Sequence, residues 1–144
     1  MKRIVVGVDG SDGSMAALAW ALEEGRAHGA AVEAVHAWSV PHVAGPMSMY
    51  VPEMPYQEFE AAATRILDQA VEKLADQAEG VEVTKVVTEG GAGRALCDAA
   101  AGADLLVVGS RGYGGVRGLL LGSVSQYCSH HAPCALTVVP IEKG

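Results

Sequence analysis

The sequence predicts a doubly wound α/β fold, in which a five-stranded parallel sheet carries helices on both faces. Five short apolar runs, rich in β-branched residues, have the composition of strands that are covered on both sides. Helical patterns of apolar residues separate these runs, and no connection between two runs is short enough for a hairpin. Such alternation favours parallel strands that are joined by right-handed crossovers.

The composition of the 144-residue chain narrows the class of protein further. Half of the residues are hydrophobic, which suits one compact domain, and we predict that it spans residues 1–144. The absence of a signal-like or membrane-spanning run, together with three widely spaced cysteines, leads us to expect a cytoplasmic protein without a membrane partner. A net charge of −7 argues against nucleic acid as a partner, but a small anionic ligand remains compatible with it.

Each strand is followed by a turn or loop that is rich in glycine, proline or capping residues. The longest of these connections, at about 39–56, contains four prolines and three methionines. It is compatible with a lid, a partner surface or a loop packed on its own domain. The predicted strands are 4–8, 31–38, 81–87, 104–108 and 134–139, and the predicted helices are about 15–27, 57–78, 94–101 and 123–131.

Apolar periodicity also predicts which side of each helix faces the sheet. The predicted inward residues are Met15, Leu18 and Leu22 in the first helix, Phe59, Ala63, Ile66, Ala70 and Leu74 in the second, Leu96, Cys97 and Ala100 in the third, and Val124, Cys128 and His131 in the last.

The fourth strand leads into the chemically most informative stretch of the chain. Its glycines follow the pattern Gly109-x2-Gly112-x9-Gly122-Ser123, and Ser123 opens the last helix. A strand, a glycine-rich loop and a helix start together allow backbone N–H groups to close on a phosphate. Since parallel sheets bind ligands beyond the carboxyl ends of their strands, we expect Asp9 and Ala37 at the same edge as this loop.

Two better-known phosphate motifs do not fit. The turn after the first strand lacks the G-x-G-x-x-G spacing of dinucleotide-binding proteins. Gly109 and Gly114 have the spacing of a P-loop, but Gly115 and Val116 stand where that motif has lysine and a hydroxyl residue. Dinucleotide binding and P-loop catalysis are therefore disfavoured.

The remaining pattern, together with the Val-Gly-Val-Asp-Gly-Ser opening, resembles the universal stress protein family from Ile4 to Val139. The resemblance implies a Rossmann-like sheet of order 3-2-1-4-5, similar to adenine-nucleotide hydrolases, and a stress-associated protein that binds ATP between strands one and four. It also implies a homodimer that forms through the last strand, Ala135 to Val139. ATP would be accompanied by Mg²⁺ or Mn²⁺, and AMP and cAMP stay open as alternative ligands.

The resemblance also implies a role for each residue of the cleft. Asp9 would contact the ribose, Gly7 and Val8 would line the pocket, and the backbone of Ala37 would meet the adenine edge. The residues that would surround the phosphates are Val108, Gly109, Arg111, Gly112, Gly122, Ser123, Val124 and Ser125. Glycine would permit close backbone approach and positive φ there, and the serines would add hydroxyl donors.

Each of these assignments has a structural alternative. The glycine loop can be a flexible connection with Ser123 as its plain N-cap, and Asp9 can be a turn-former, although Ser11 and its neighbours can cap the first helix and leave Asp9 free. Arg111 can be solvated at the loop tip, and the phosphate role of Arg117 is weaker still. His36 is expected to be structural rather than catalytic.

The segment 128–134 contains two cysteines and two histidines, which would be compatible with a metal site. We favour packing instead, because a zinc site needs four placed ligands and the sequence has no second cluster. Cys97 is likewise expected in the core. With no base, P-loop lysine or carboxylate pair evident, we expect ATP as a regulatory ligand rather than as a rapidly consumed substrate. A slow ATPase and a nucleotide-free interaction module stay open.

Overall fold

The computed structural model describes residues 1–40, 56–111 and 121–141. Strands and helices alternate along the whole described chain. Their bounds are β1 Arg3–Gly7, α1 Asp12–His28, β2 Ala31–Trp38, α2 Tyr56–Lys73, β3 Val83–Glu89, α3 Ala92–Ala99, β4 Leu105–Gly109, α4 Ser123–His131 and β5 Ala135–Val139.

The five strands form one parallel sheet in the order β3-β2-β1-β4-β5, as the sequence and the resemblance predict. At the centre of the sheet, Val6 pairs with Ala34 on one side and with Val107 on the other. The chain winds outward from β1 in one direction and then, from β4 onward, in the other. The strand order therefore reverses between β1 and β4, which is where a cleft opens in sheets of this type.

Two apolar layers cover the two faces of the sheet. Leu18 and Leu22 of α1 pack with Leu67 of α2 against one face, which includes Ile4 and Val6. On the opposite face, Leu96 and Cys97 of α3, Ala100 at its C-terminal end and Cys128 of α4 pack against strand residues Val5, Val35, Leu106 and Val108. The central strands are buried almost completely, because helices exclude water from both sides.

The inward face of α2 differs from the prediction by one position. Ile66 is 38% exposed, whereas Leu67 is buried at 1%, so Leu67 supplies the apolar contact expected of Ile66. The helix also ends at Lys73 rather than near Ala78. Beyond that point the chain tightens into turns with i→i+3 bonds, such as Leu74 N–H to the Val71 carbonyl at 3.1 Å.

The last two helices also depart from the prediction in detail. The third helix begins at Ala92, two residues early, because the predicted glycine turn is already helical at Gly93. His131 is exposed rather than inward-facing, and its ring lies against Tyr127 with 4.3 Å between centroids. Cys97 is buried in the core, as predicted.

Three sequence predictions fall outside the described residues: Gly112, Arg117 and all but the ends of the 39–56 loop. Within the described ranges, no helix is both long enough and apolar enough to cross a membrane.

Candidate nucleotide site

A cavity of about 300 Å³ opens at the carboxyl edge of the sheet, above β1 and β4. Its lining brings together every predicted site residue that the structure describes. These are Gly7, Val8 and Asp9 after β1, Ala37 in β2, Val108, Gly109 and Arg111 around the end of β4, and Gly122, Ser123, Val124 and Ser125 at the start of α4.

The first turn of α4 leaves backbone donors beside the cavity. Gly122 is the N-cap, and no side chain caps the helix. In the described part of the chain, the N–H groups of residues 123–125 have no hydrogen-bond partner, whereas Gln126 N–H bonds to the Gly122 carbonyl at 2.9 Å. Unpaired amides and the positive end of the helix dipole together favour an anion at this position.

The conformations of Gly109 and Gly122 differ from what the phosphate-loop interpretation expects. Gly122 has φ −78° and ψ 177°, which is extended backbone that any residue can adopt. Gly109 also has no positive φ. Neither glycine is therefore needed for a left-handed backbone conformation.

Gly109 is required instead for close packing between two loops. A Cβ atom at Gly109 would lie 2.6 Å from the carbonyl oxygen of Gly13, in the first turn of α1. A Cβ atom at Gly13 would in turn overlap the carbonyl oxygen of Arg111. The two glycines allow the loop after β4 to lie directly on the start of α1, and this contact positions Arg111 at the cavity.

Ser125 has a different role from the predicted phosphate donor. Its side chain is buried at 1%, and its Oγ lies 2.9 Å from the Ser110 carbonyl and 3.0 Å from the Gly122 carbonyl. Gly122 N–H also donates to the Ser110 carbonyl, at 2.6 Å. Ser125 therefore fastens the end of the glycine loop to β4, while the exposed Ser123 hydroxyl stays available for a ligand.

Asp9 is part of a local hydrogen-bond network rather than free. Its Oδ1 accepts from the Ser11 backbone N–H at 2.9 Å and from the Ser11 hydroxyl. Ser11 is also the N-cap of α1, and its Oγ accepts from Ser14 N–H at 3.3 Å. The alternative role of Asp9 as a turn-former is thus correct, and the same turn holds its half-buried carboxylate at the cavity wall.

A second uncapped helix start borders the cavity. The N-cap of α3 is Gly91, without a side-chain hydrogen bond, and the first residue, Ala92, lines the cavity. The first turns of α3 and α4 contain no acidic residue, whereas α1 has Asp12. Two positive helix ends therefore converge on one side of the cavity.

Sequence reasoning did not assign several lining residues to the site. The sequence predicts Leu96 only as a core residue and Ala92 only as part of a turn. Both follow the carboxyl end of β3, and that position could have indicated that they lie near a ligand site. His36 is buried, and its Nδ1 lies 2.7 Å from the Val8 carbonyl, which agrees with a structural role. The other lining residues are Ser11, Ser14, Val35, Leu121 and Gln126.

Cation-binding side chains are sparse at this edge. Among the residues that the structure describes, no group of three or more His, Cys, Asp or Glu side chains is placed to hold a metal ion. Asp9 is the acidic side chain among the described lining residues. A divalent ion would therefore depend on oxygen ligands from a bound phosphate and from water.

Comparison with known proteins finds relatives that all belong to one family. The universal stress protein family model matches residues 1–140. A universal stress protein of Thermus aquaticus is 40% identical over 146 aligned positions, which cover 96% of this chain and 98% of that protein. One from Mycobacterium tuberculosis is 39% identical over 132 positions, covering 90% of this chain. The chain spans 42% of the length of that mycobacterial relative.

Solved structures agree with the fold. A universal stress protein of Lactobacillus plantarum has a TM-score of 0.77 and 23% identity, with coverage of 96% and 97% of the two chains. Another, solved in complex with cAMP, has a TM-score of 0.71 and 26% identity, covering 98% of each chain. An Arabidopsis thaliana family member, solved with AMP bound, has a TM-score of 0.67 and 22% identity, covering 99% of this chain and 93% of that one.

Proposed function

Because this chain belongs to the universal stress protein family, we propose that it is a stress-associated regulatory protein that binds ATP in the cleft between β1 and β4. The observation that carries this proposal is the convergence of the uncapped starts of α3 and α4 on one cavity. Together they supply backbone donors and positive potential for phosphates without a P-loop lysine.

The opposite side of the cavity supports the nucleoside part of the ligand. Ser11 holds the Asp9 carboxylate in one orientation before any ligand binds, so little conformational freedom is lost on binding. A carboxylate held in this way suits a ribose hydroxyl. Gly7 and Ala37 present little side-chain volume, and Leu96 provides an apolar surface beside them. A flat, largely apolar base fits such a surface. Arg111 and Ser123 would contact the phosphates, with Mg²⁺ or Mn²⁺ as the accompanying ion.

Cyclic AMP is the second candidate ligand. The relative that was solved with cAMP is 26% identical and aligns over 98% of this chain. A cyclic monophosphate needs only one phosphate subsite, and the start of α4 could supply it. Direct competition separates the two candidates, because ATP should displace bound cAMP at lower concentration if the triphosphate is the preferred ligand.

Identification of the ligand is the first test. Freshly purified protein is denatured, and the released small molecules are analysed by mass spectrometry, with ATP as the expected species. Isothermal titration of ligand-free protein with ATP, AMP and cAMP then gives the affinities. If none of the three nucleotides binds and none is released, the proposal is wrong and the chain is an interaction module.

A variant at the start of α4 tests whether the phosphates of ATP bind there. We expect Ser123→Ala to weaken ATP binding by about tenfold or more, because a hydrogen bond to a charged group is lost. Ser129→Ala, on the exposed side of the same helix, is the matched control and should bind as the wild type does. Equal affinities of all three proteins would contradict a phosphate subsite at Ser123.

We further propose that ATP acts as a ligand that shifts a conformational equilibrium and is not rapidly hydrolysed. Bound nucleotide should slow amide hydrogen exchange at the loop 109–122 and in the 39–56 segment, which would change the surface offered to a partner. Unchanged exchange in both segments would overturn this mechanism. Steady phosphate release that is lost in Gly122→Ala or Ser123→Ala would instead identify a slow ATPase.

The edge strand β5 is the proposed dimer interface. It pairs only with β4 in the described sheet, and its residues 136–139 are half-buried rather than exposed. A second copy could therefore extend the sheet or cover this edge. Light scattering after gel filtration should give a dimer, and Thr137→Asp should shift it to monomer.

A further inference from the structure

We propose that Cys97 and Cys128 form an oxidisable dithiol, and that its conversion to a disulfide weakens ligand binding in the cleft. The oxidation itself is independent of the proposed function, whereas its effect on affinity rests on that function. Nothing in the nucleotide site uses either thiol, so the pair needs its own explanation.

The two sulfur atoms are already in contact. The Sγ atoms of Cys97 and Cys128 lie 3.9 Å apart, between α3 and α4. Cys128 is fully buried, and Cys97 retains 8% exposure. A disulfide has an S–S length of about 2 Å, so small side-chain rotations and a slight approach of the helices would close the bond.

The helices that carry the two cysteines approach each other closely one turn before Cys97 on α3 and one residue before Cys128 on α4. A Cβ atom at Gly93 would lie 2.8 Å from the ring of Tyr127, which shows that α3 and α4 are in tight contact there. Because each thiol lies within four residues of this contact on its own helix, the backbones are near enough for a bridge between the side chains. The third cysteine, Cys134, is half-buried just before β5 and serves as an internal reference thiol.

The environments of the two thiols indicate the order of reaction. Burial, and secondarily the neighbouring Cys97, raises the pKa of the Cys128 thiol to about 12. Cys128 is therefore protonated at neutral pH and is a poor first nucleophile. Cys97, with its small exposed fraction, is the thiol that a small oxidant reaches first.

Hydrogen peroxide is the oxidant that we propose, and the reaction balances in two steps. The sulfur of Cys97 attacks one peroxide oxygen, the O–O bond breaks, and Cys97 becomes a sulfenic acid with release of one water. The sulfur of Cys128 then attacks the Cys97 sulfur. The S–O bond breaks, the S–S bond forms, and the Cys128 proton leaves with the hydroxide as a second water. Two thiols are oxidised and one peroxide is reduced.

The link to the cleft follows from the positions of the cysteines on their helices. Cys97 directly follows Leu96, and Cys128 lies one turn after Val124, and both of these residues line the cavity. Drawing the two sulfur atoms together would move α3 and α4 toward each other beneath the cavity. The space between Leu96 and Val124 should narrow, and a bound base or phosphate should lose contact with one helix start.

The experiment uses the full chain and a Cys134→Ser variant. Each protein is treated with hydrogen peroxide, alkylated under denaturing conditions and digested with trypsin without reduction. Cys97 lies in the peptide 95–111, whereas Cys128 shares the peptide 118–143 with Cys134. In Cys134→Ser, a link between these two peptides, with the loss of two hydrogen atoms, identifies the Cys97–Cys128 bridge unambiguously.

We expect this link in both proteins and a loss of ATP affinity of about fivefold in the oxidised form, restored by dithiothreitol. Free thiols at Cys97 and Cys128, under conditions that oxidise Cys134 in the wild type, would overturn the proposal. If the reduced protein binds ATP, a bridge that forms without a change in ATP affinity would also overturn it.

A ligand-independent measurement separates this proposal from the nucleotide proposal. Amide hydrogen exchange at Leu96 and Val124 should differ between the reduced and oxidised proteins even when no nucleotide is added. If the reduced protein binds no nucleotide but this difference is present, the proposed function fails while the coupling of the dithiol to the cavity stands. If the bridge forms and exchange is unchanged, the coupling fails.

Discussion

The first turns of α1 and α4 begin at the same edge of the sheet but differ in the side-chain cap and the charge that the chain itself supplies. In α1, Ser11 caps the helix and Asp12 adds a negative charge to the first turn. In α4, Gly122 provides no side-chain cap, and no acidic residue is present. The first helix start therefore has a side-chain cap and a compensating negative charge of its own, whereas the last has neither among the described residues.

The two regions are nevertheless mechanically connected, because the loop after β4 lies on the first turn of α1 through Gly109 and Gly13. The capped start of α1 thus supports the loop after β4, which borders the candidate site. Substitutions on the two sides should therefore separate effects on stability from effects on binding.

The largest effect is expected for Gly109→Ala, which would place a Cβ atom 2.6 Å from a backbone oxygen of Gly13. Since backbone cannot rotate away as a side chain can, we expect a loss of about 2–3 kcal/mol in the free energy of unfolding, measured in urea. Gly91→Ala is the control, because its Cβ would meet no atom within 4 Å. It should cost less than about 1 kcal/mol. Equal costs would show that the contact between the two loops is not tight.

The next effect concerns the cap of α1. We expect Ser11→Ala to destabilise the protein by about 1 kcal/mol, because the Ser14 N–H loses its acceptor and Asp9 loses a donor. Ser123→Ala is the matched substitution at the start of α4 and should change stability by less than about 0.5 kcal/mol. Thermal unfolding of the ligand-free proteins measures both, and a similar loss in the two variants would remove the contrast between the helices.

A charge at the start of α4 sharpens the contrast. Ser123→Asp should stabilise the ligand-free protein by about 0.5 kcal/mol, because the carboxylate interacts favourably with the helix dipole. The same carboxylate should weaken ATP binding by about fivefold or more, while adenosine binding changes little. Ser129→Asp, in the last turns of the helix, should leave ATP binding unchanged. Tighter ATP binding in Ser123→Asp would contradict a phosphate site there.

The smallest effect is expected at the opposite edge of the sheet, where a carboxylate satisfies backbone donors. Hydrogen bonds from the N–H groups of Lys2 and Arg3, at 2.7 and 3.0 Å, lower the pKa of Asp104 from its ordinary value of 3.8. Its stabilising contribution is therefore complete above that value and is lost as the pH falls through the lower folded-state pKa.

Acid unfolding followed by circular dichroism tests this prediction. Asp104→Asn should be slightly less stable than the wild type at pH 7, and the difference should shrink as the pH falls below about 3.8. A difference that is the same at pH 7 and pH 2 would mean that the carboxylate charge contributes nothing at this exposed position.

The sequence alone determined the order of elements, the parallel sheet and the edge at which the candidate site lies. Apolar runs with β-branched residues, separated by helical periodicity, leave few arrangements other than a doubly wound sheet. The positions of Asp9, Ala37 and Gly109 at strand ends then follow from topology, because parallel strands all end at one edge. The start of α4 at Ser123 was also predictable, since Gly-Ser precedes a clear helical pattern.

Only the tertiary structure decided what individual side chains do there. That Gly109 faces Gly13, that Ser125 holds Ser110, and that Cys97 meets Cys128 all depend on distances between segments far apart in the chain. Periodicity places a residue on a face only to within one position, which is why Leu67 rather than Ile66 is buried. Local patterns specify backbone conformation, whereas packing between distant elements selects which polar groups are satisfied and which stay free for a ligand.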